Sequence, residues 1–175
     1  MKKVLIVIDM QNDFVTGSLG SEMAQAIVPN ILEKLKKAKE ERSIILFTRD
    51  THEANYLETL EGKNLPVEHC IRGTEGWEII PEFKEYTFLT SRRTNMVNKP
   101  TFGSIYLPTM IPNEFEEIEI CGVCTDICVV SNALMLRAKY PNARIIVDSN
   151  ACAGTSVEAH ESALTVMRSC QIEVK

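Results

Sequence analysis

Short apolar runs constrain this chain more than any other feature. Five of them are Lys3–Ile8, Ser43–Thr48, Tyr86–Thr90, Glu117–Gly122 and Ala143–Val147, and a sixth, shorter one lies at Gln171–Val174. Most are rich in β-branched residues and continuous rather than alternating. A strand wetted on one face alternates apolar with polar residues, whereas a strand covered on both faces does not need to. The runs therefore read as strands of a buried parallel sheet.

Helical patterns lie between them. Ile27, Ile31, Leu32, Leu35 and Ala38 fall on one face, with Pro29 marking a first turn or a bend. Ile127, Val130, Leu134 and Ala138 define a second helix, expected over Asp126–Ala138. Ala159, Ala163, Val166 and Met167 define a third, opened by "TSVE" (Thr155 to Glu158), a capping-box pattern. Strands alternating with helices imply right-handed crossovers and a three-layer α/β/α domain. At 175 residues, with no repeat or linker, a single domain over residues 1–175 is expected. Residues 49–85 form a long connection punctuated by Gly62, Pro66, Gly73, Gly76 and Pro81, and long connections in compact domains usually carry function.

Composition excludes some partners. The chain is 45% hydrophobic and 25% charged, with a net charge of −5 and no basic run, which argues against nucleic acid and anionic membranes. The apolar run Val4–Ile8 meets Asp9 after five residues, too soon for a signal core, and no run reaches the length of a membrane span. The expected setting is cytoplasmic, where the six cysteines stay reduced.

In open α/β sheets, ligands bind beyond the carboxyl ends of the strands. Asp9 follows the first strand, Asp50 and His52 the second, Lys99 the third after a gap, and Cys124 and Cys128 the fourth. Cys128 would begin a helix, where free N–H groups, the helix dipole and a nearby lysine favour a thiolate. "CGVC" also matches a redox pair of Cys121 and Cys124, and buried core cysteines are common, so several readings of these thiols stay open. Asp9 is suited to take a thiol proton and pass it to a leaving amine, or simply to cap a turn. Asp50 and His52, two apart on an extended segment, point the same way. With His69 from the long connection they offer an oxygen and two nitrogens, suited to Zn²⁺, Fe²⁺ or Mn²⁺. Glu61 could supplement them. His160, in the last helix, reads as solvated.

Together, "VIDMQNDF", "TRDTH", "PVEHCIRGTEGW", "NKPTFGS" and "GVCTDICV", with "DSNACAGT" in support, resemble the isochorismatase-like cysteine hydrolases, in particular nicotinamidases. The resemblance implies a Rossmann-like six-stranded parallel sheet of order 3-2-1-4-5-6. It implies a triad of Asp9, Lys99 and Cys128. It also implies a cis peptide between Val123 and Cys124, which aims the backbone N–H groups of Cys124 and Cys128 at an oxyanion. Asp50, His52 and His69 would hold one divalent transition ion, zinc first and iron or manganese as alternatives, which in nicotinamidases grips the pyridine nitrogen. Phe14, Leu65, Phe102 and Val123 would line the substrate pocket, with Tyr106 as an alternative wall to Phe102. Nicotinamidases usually carry an aromatic residue shortly before the second metal histidine, where this chain has Leu65. The resemblance thus points to amide hydrolysis, with nicotinamide or another small amide or ureido compound as substrate, and to a homo-oligomer. A non-catalytic metal or thiol redox module is the alternative of another class.

Overall fold

The structure, a computed structural model, describes residues 3–88, 94–112 and 114–175. Its sheet contains β1 (Lys3–Ile8), β2 (Ile44–Asp50), β3 (Met96–Lys99), β4 (Glu117–Val123), β5 (Arg144–Ala153) and β6 (Glu173–Val174). The strands are parallel, in the order β3-β2-β1-β4-β5-β6. Successive side chains of β1, from Val4 to Ile8, are all buried, so both faces of the central strand are covered. That is the reason its sequence does not alternate.

The helix Val28–Glu40 packs on β1 and β2, and Val130–Lys139 and Val157–Ser169 pack on each other and on β5 and β6. Pro29 lies in the first turn of the first of these, where its missing N–H costs nothing. The expected Asp126–Ala138 helix begins differently. Thr125–Val129 is a π-helical turn, in which the Val129 N–H reaches the Cys124 carbonyl, and the α-helix proper starts at Val130. The "TSVE" cap is shifted by one residue. Ser156 is the N-cap and accepts from the Ala159 N–H at 3.1 Å, while Thr155 turns to Asp126.

The third strand is the main correction. Tyr86 closes a 3₁₀ turn (Pro81–Tyr86) and Thr87 and Phe88 are not in a strand; Leu89 and Thr90 lie outside the described residues. The strand that pairs with β2 is Met96–Lys99, from Phe47↔Met96 to Asp50↔Lys99. "MVNK" is short and half polar, as an edge strand can be, so hydrophobic pattern favoured "YTFLT" instead. The register places Lys99 at the carboxyl end of β3, directly beside Asp50.

The sheet order reverses between β1 and β4, leaving a crevice beyond their carboxyl ends. Gly122 makes the close approach there. It has φ 120°, and a Cβ would sit 2.1 Å from the Ile8 carbonyl oxygen.

Candidate active site

Four strand ends converge on this crevice. Asp9 leaves β1 with φ 49°, a conformation that turns the chain away from the sheet. The Thr48 hydroxyl fixes it from β2, accepting from the Asp9 N–H at 3.1 Å and donating to Oδ1 at 2.6 Å. Oδ2 lies 2.6 Å from Lys99 Nζ, a buried ion pair. Lys99 Nζ is in turn 3.4 Å from Cys128 Sγ and 3.4 Å from Asp50 Oδ1. Asp9 and Lys99 are fully buried and Cys128 is 5% exposed.

Burial raises the Asp9 carboxyl above the usual range, opposed by the Lys99 charge. Burial works against the Lys99 ammonium, but Asp9, Cys128 and Asp50 outweigh it and hold the lysine charged. The Cys128 thiol is pushed well up by burial and by the Asp9 charge, with Lys99 opposing. Lys99 and the π turn favour a thiolate here, and burial opposes it most. Cys124, partly exposed, is pushed up to about 12, first by burial and then by Asp126. Cys121 is buried, with its thiol against the Ile6 carbonyl at 3.7 Å, which makes it a core residue. The Val123–Cys124 peptide is cis.

The second cluster shares Asp50. Its Oδ2 lies 3.0 Å from His52 Nε2 and 3.4 Å from His69 Nε2. Glu61 Oε1, from the helical turn Leu60–Asn64, is 3.6 Å and 3.8 Å from the same nitrogens. One donor atom from each of the four residues fits within a span of 4.8 Å. Bonds of about 2.1 Å in a tetrahedral arrangement separate donors by about 3.4 Å. The donor set and its spacing therefore fit a divalent transition ion, with Glu61, the possible supplement read from sequence, beside Asp50, His52 and His69. His69 Nδ1 donates to the Val67 carbonyl at 2.8 Å, which leaves Nε2 as the ligating atom. Burial opposes ionisation of Asp50, but hydrogen bonds from both histidines and the Lys99 charge hold its carboxyl well below the usual range.

A cavity of about 290 Å³ opens over both clusters. Phe14, Leu65, Phe102 and Val123 all line it, as do Cys124, Cys128, Asp50, Glu61 and His69. Tyr106 does not line it and is 67% exposed. His160 is not simply solvated, because its Nδ1 meets the Thr125 hydroxyl at 2.8 Å. Sequence reasoning missed Leu19, Ala24 and Ala153, small or apolar walls with no motif to mark them. It also missed Tyr56, a fully buried ring 4.7 Å from the His52 ring and 5.0 Å from that of His69. Gln11 was legible only as a letter of "VIDMQNDF".

Among the described residues, no helix is long and apolar enough to cross a membrane. Residues 3–174 match the Isochorismatase domain. The chain is 26% identical to a nicotinamidase/pyrazinamidase of Mycobacterium tuberculosis, covering 98% of this chain and 97% of that one. It superposes on the crystal structure of nicotinamidase PncA from Bacillus subtilis with a TM-score of 0.83 at 28% identity, over 99% of each chain. A zinc complex of the Pyrococcus horikoshii pyrazinamidase gives 0.80 at 28% identity, over 100% of this chain and 99% of that one. A sheet of this order, with a match that spans nearly the whole sequence, places the chain in the isochorismatase domain family.

Proposed function

We propose that this protein is a cysteine amidohydrolase that converts nicotinamide to nicotinic acid and ammonia. The observation that carries the reading is the fully buried Lys99, with Nζ 2.6 Å from Asp9 Oδ2 and 3.4 Å from Cys128 Sγ. A lysine is rarely placed where no water reaches it unless paired charges require it. Here it holds a carboxylate and a thiol that must exchange a proton.

Asp9 Oδ2 takes the Cys128 proton as Sγ attacks the amide carbon. Lys99 stays charged beside both groups and stabilises the thiolate as it forms. The backbone N–H groups of Cys124 and Cys128 receive the oxyanion. Asp9 returns its proton to the nitrogen, the C–N bond breaks and ammonia leaves a thioester on Cys128. Water, deprotonated by Asp9, then releases the acid and restores the thiol. Asp50, His52, His69 and Glu61 would hold the metal. Once bound, the ion supplies a Lewis-acidic anchor for a ring nitrogen.

Among the described residues, the pocket lining contains Asp50 and Glu61 and no arginine or lysine, so any cation that a substrate met there would be the bound metal. Leu65 in place of an aromatic residue favours a second reading, a different small neutral amide or ureido compound. Ammonia release decides. Nicotinamide should be turned over efficiently by the wild type and not by Cys128→Ala. Turnover of another neutral amide in its place would select the second reading. Undiminished turnover by Cys128→Ala would remove the triad from the account.

A further inference from the structure

We propose that Gln11 is a positioning residue that holds the metal ligand Asp50 by replacing a missing segment of β-ladder. The proposal rests on the metal cluster described above. β1 pairs with β2 as far as Val7↔Phe47, and then the chain turns out of the sheet at Asp9, φ 49°. That turn delivers Asp9 to the thiol, and it takes the β1 backbone away from the last residue of β2. On the other side β3 remains, with the Thr51 N–H donating to the Lys99 carbonyl at 2.9 Å.

The Gln11 side chain fills the gap. Its Oε1 accepts from the Asp50 N–H at 2.7 Å, and its Nε2 donates to the Asp50 carbonyl at 2.9 Å. A primary carboxamide offers the same donor and acceptor as a peptide group, so it continues the ladder where no peptide is left. The second Nε2 proton goes to the Trp77 carbonyl at 2.8 Å, which ties the long connection to the same point. Gln11 is fully buried, so these partners have no water to substitute for them.

The clamped residue is the one both clusters share. Asp50 Oδ2 faces the two histidines and Oδ1 faces Lys99. A carboxylate with two jobs tolerates little movement of its Cα, and groups behind a ligand commonly set metal affinity. Gln11 touches neither the ion nor the reacting atoms. Its effect is exerted through the Asp50 backbone.

Asn95 provides an internal control. It is also a buried amide that clamps backbone, donating to the Tyr86 carbonyl at 2.8 Å and accepting from the Phe88 N–H at 2.8 Å, at the opposite end of β3. The experiment titrates Co²⁺, read by its visible d–d absorption, into metal-free wild type, His52→Ala, Gln11→Leu, Gln11→Glu and Asn95→Leu, with thermal midpoints recorded for each. The wild type should bind one equivalent and His52→Ala none. Gln11→Leu should bind about 10–100-fold more weakly. Gln11→Glu, which keeps the acceptor for the Asp50 N–H, should fall between. Asn95→Leu should lose thermal stability but keep wild-type affinity. If Gln11→Leu does not fold, Gln11→Glu decides by the same criterion. Wild-type affinity in folded Gln11 variants overturns the proposal and leaves the metal cluster standing, as does equal weakening in Asn95→Leu. A wild type that binds no Co²⁺ removes the metal cluster and the proposal together.

Discussion

At the amino end of the sheet, Lys3 pairs with Glu41 and Glu117, and Arg144 pairs with Glu117 and Glu173, at the surface. At the carboxyl end, Lys99 pairs with Asp9 and Asp50 where no water reaches. Both ends carry mixed charge on strand termini of the same sheet. Exposed pairs are screened and contribute little, so their residues are replaceable. Buried charges cost several kcal/mol each to desolvate and stay only where their partners hold them. The difference separates charges that keep a surface wet from buried charges that depend on one another, as the proposed chemistry requires.

The largest effect expected from breaking this contrast is on turnover. Cys128→Ala should lower kcat by at least about 10³-fold, because the residues of a catalytic unit act together. Steady-state ammonia release against a folded control checks it.

Lys99→Met comes next. It leaves Asp9 and Asp50 facing each other without their shared cation, which should cost about 3–5 kcal/mol of stability. Adding Asp9→Asn should recover much of that loss, because it removes one of the stranded charges. Denaturant unfolding of Lys99→Met, Asp9→Asn and the double variant measures the coupling, and simple additivity would contradict a coupled buried pair.

Chelation or His52→Ala should lower turnover while leaving alkylation of Cys128 by iodoacetamide intact. Loss of both together would mean that the clusters are not separable.

The pH profile sharpens the comparison further. Asp9 must be ionised to take the thiol proton, and burial raises its folded pKa. Turnover should therefore fall as pH falls through a value above the ordinary carboxylate pKa of about 3.9. An acid limb at or below that value would contradict a buried base.

The smallest effect belongs to the other end of the sheet. Arg144→Ala should leave both turnover and the denaturation midpoint unchanged.

What the sequence disclosed follows the same physics. β1 is legible to the residue because both its faces are buried, and β4 nearly so. The sheet order and the triad came from motif resemblance, not from pattern. β3 was misplaced because an edge strand ending in asparagine and lysine has no apolar run to announce it. Lys99, the most informative side chain, reads as a surface lysine until the register puts it beside Asp50. Phe14, Leu65, Phe102 and Val123 line the cavity, but so do Leu19, Ala24 and Ala153, which no motif marks, since a wall formed by three distant segments leaves no local signal. The burial that pushes the Cys128 thiol up depends on how much water the fold excludes, and no spacing of letters encodes that.

The most direct test is whether Cys128 carries the acyl group. Rapid acid quench of wild type with nicotinamide, followed by intact-protein and peptide mass analysis, should show a transient nicotinoyl thioester confined to the Cys128 peptide and absent from Cys128→Ala. Efficient ammonia release with no adduct, and with Cys128→Ala still active, would contradict the account.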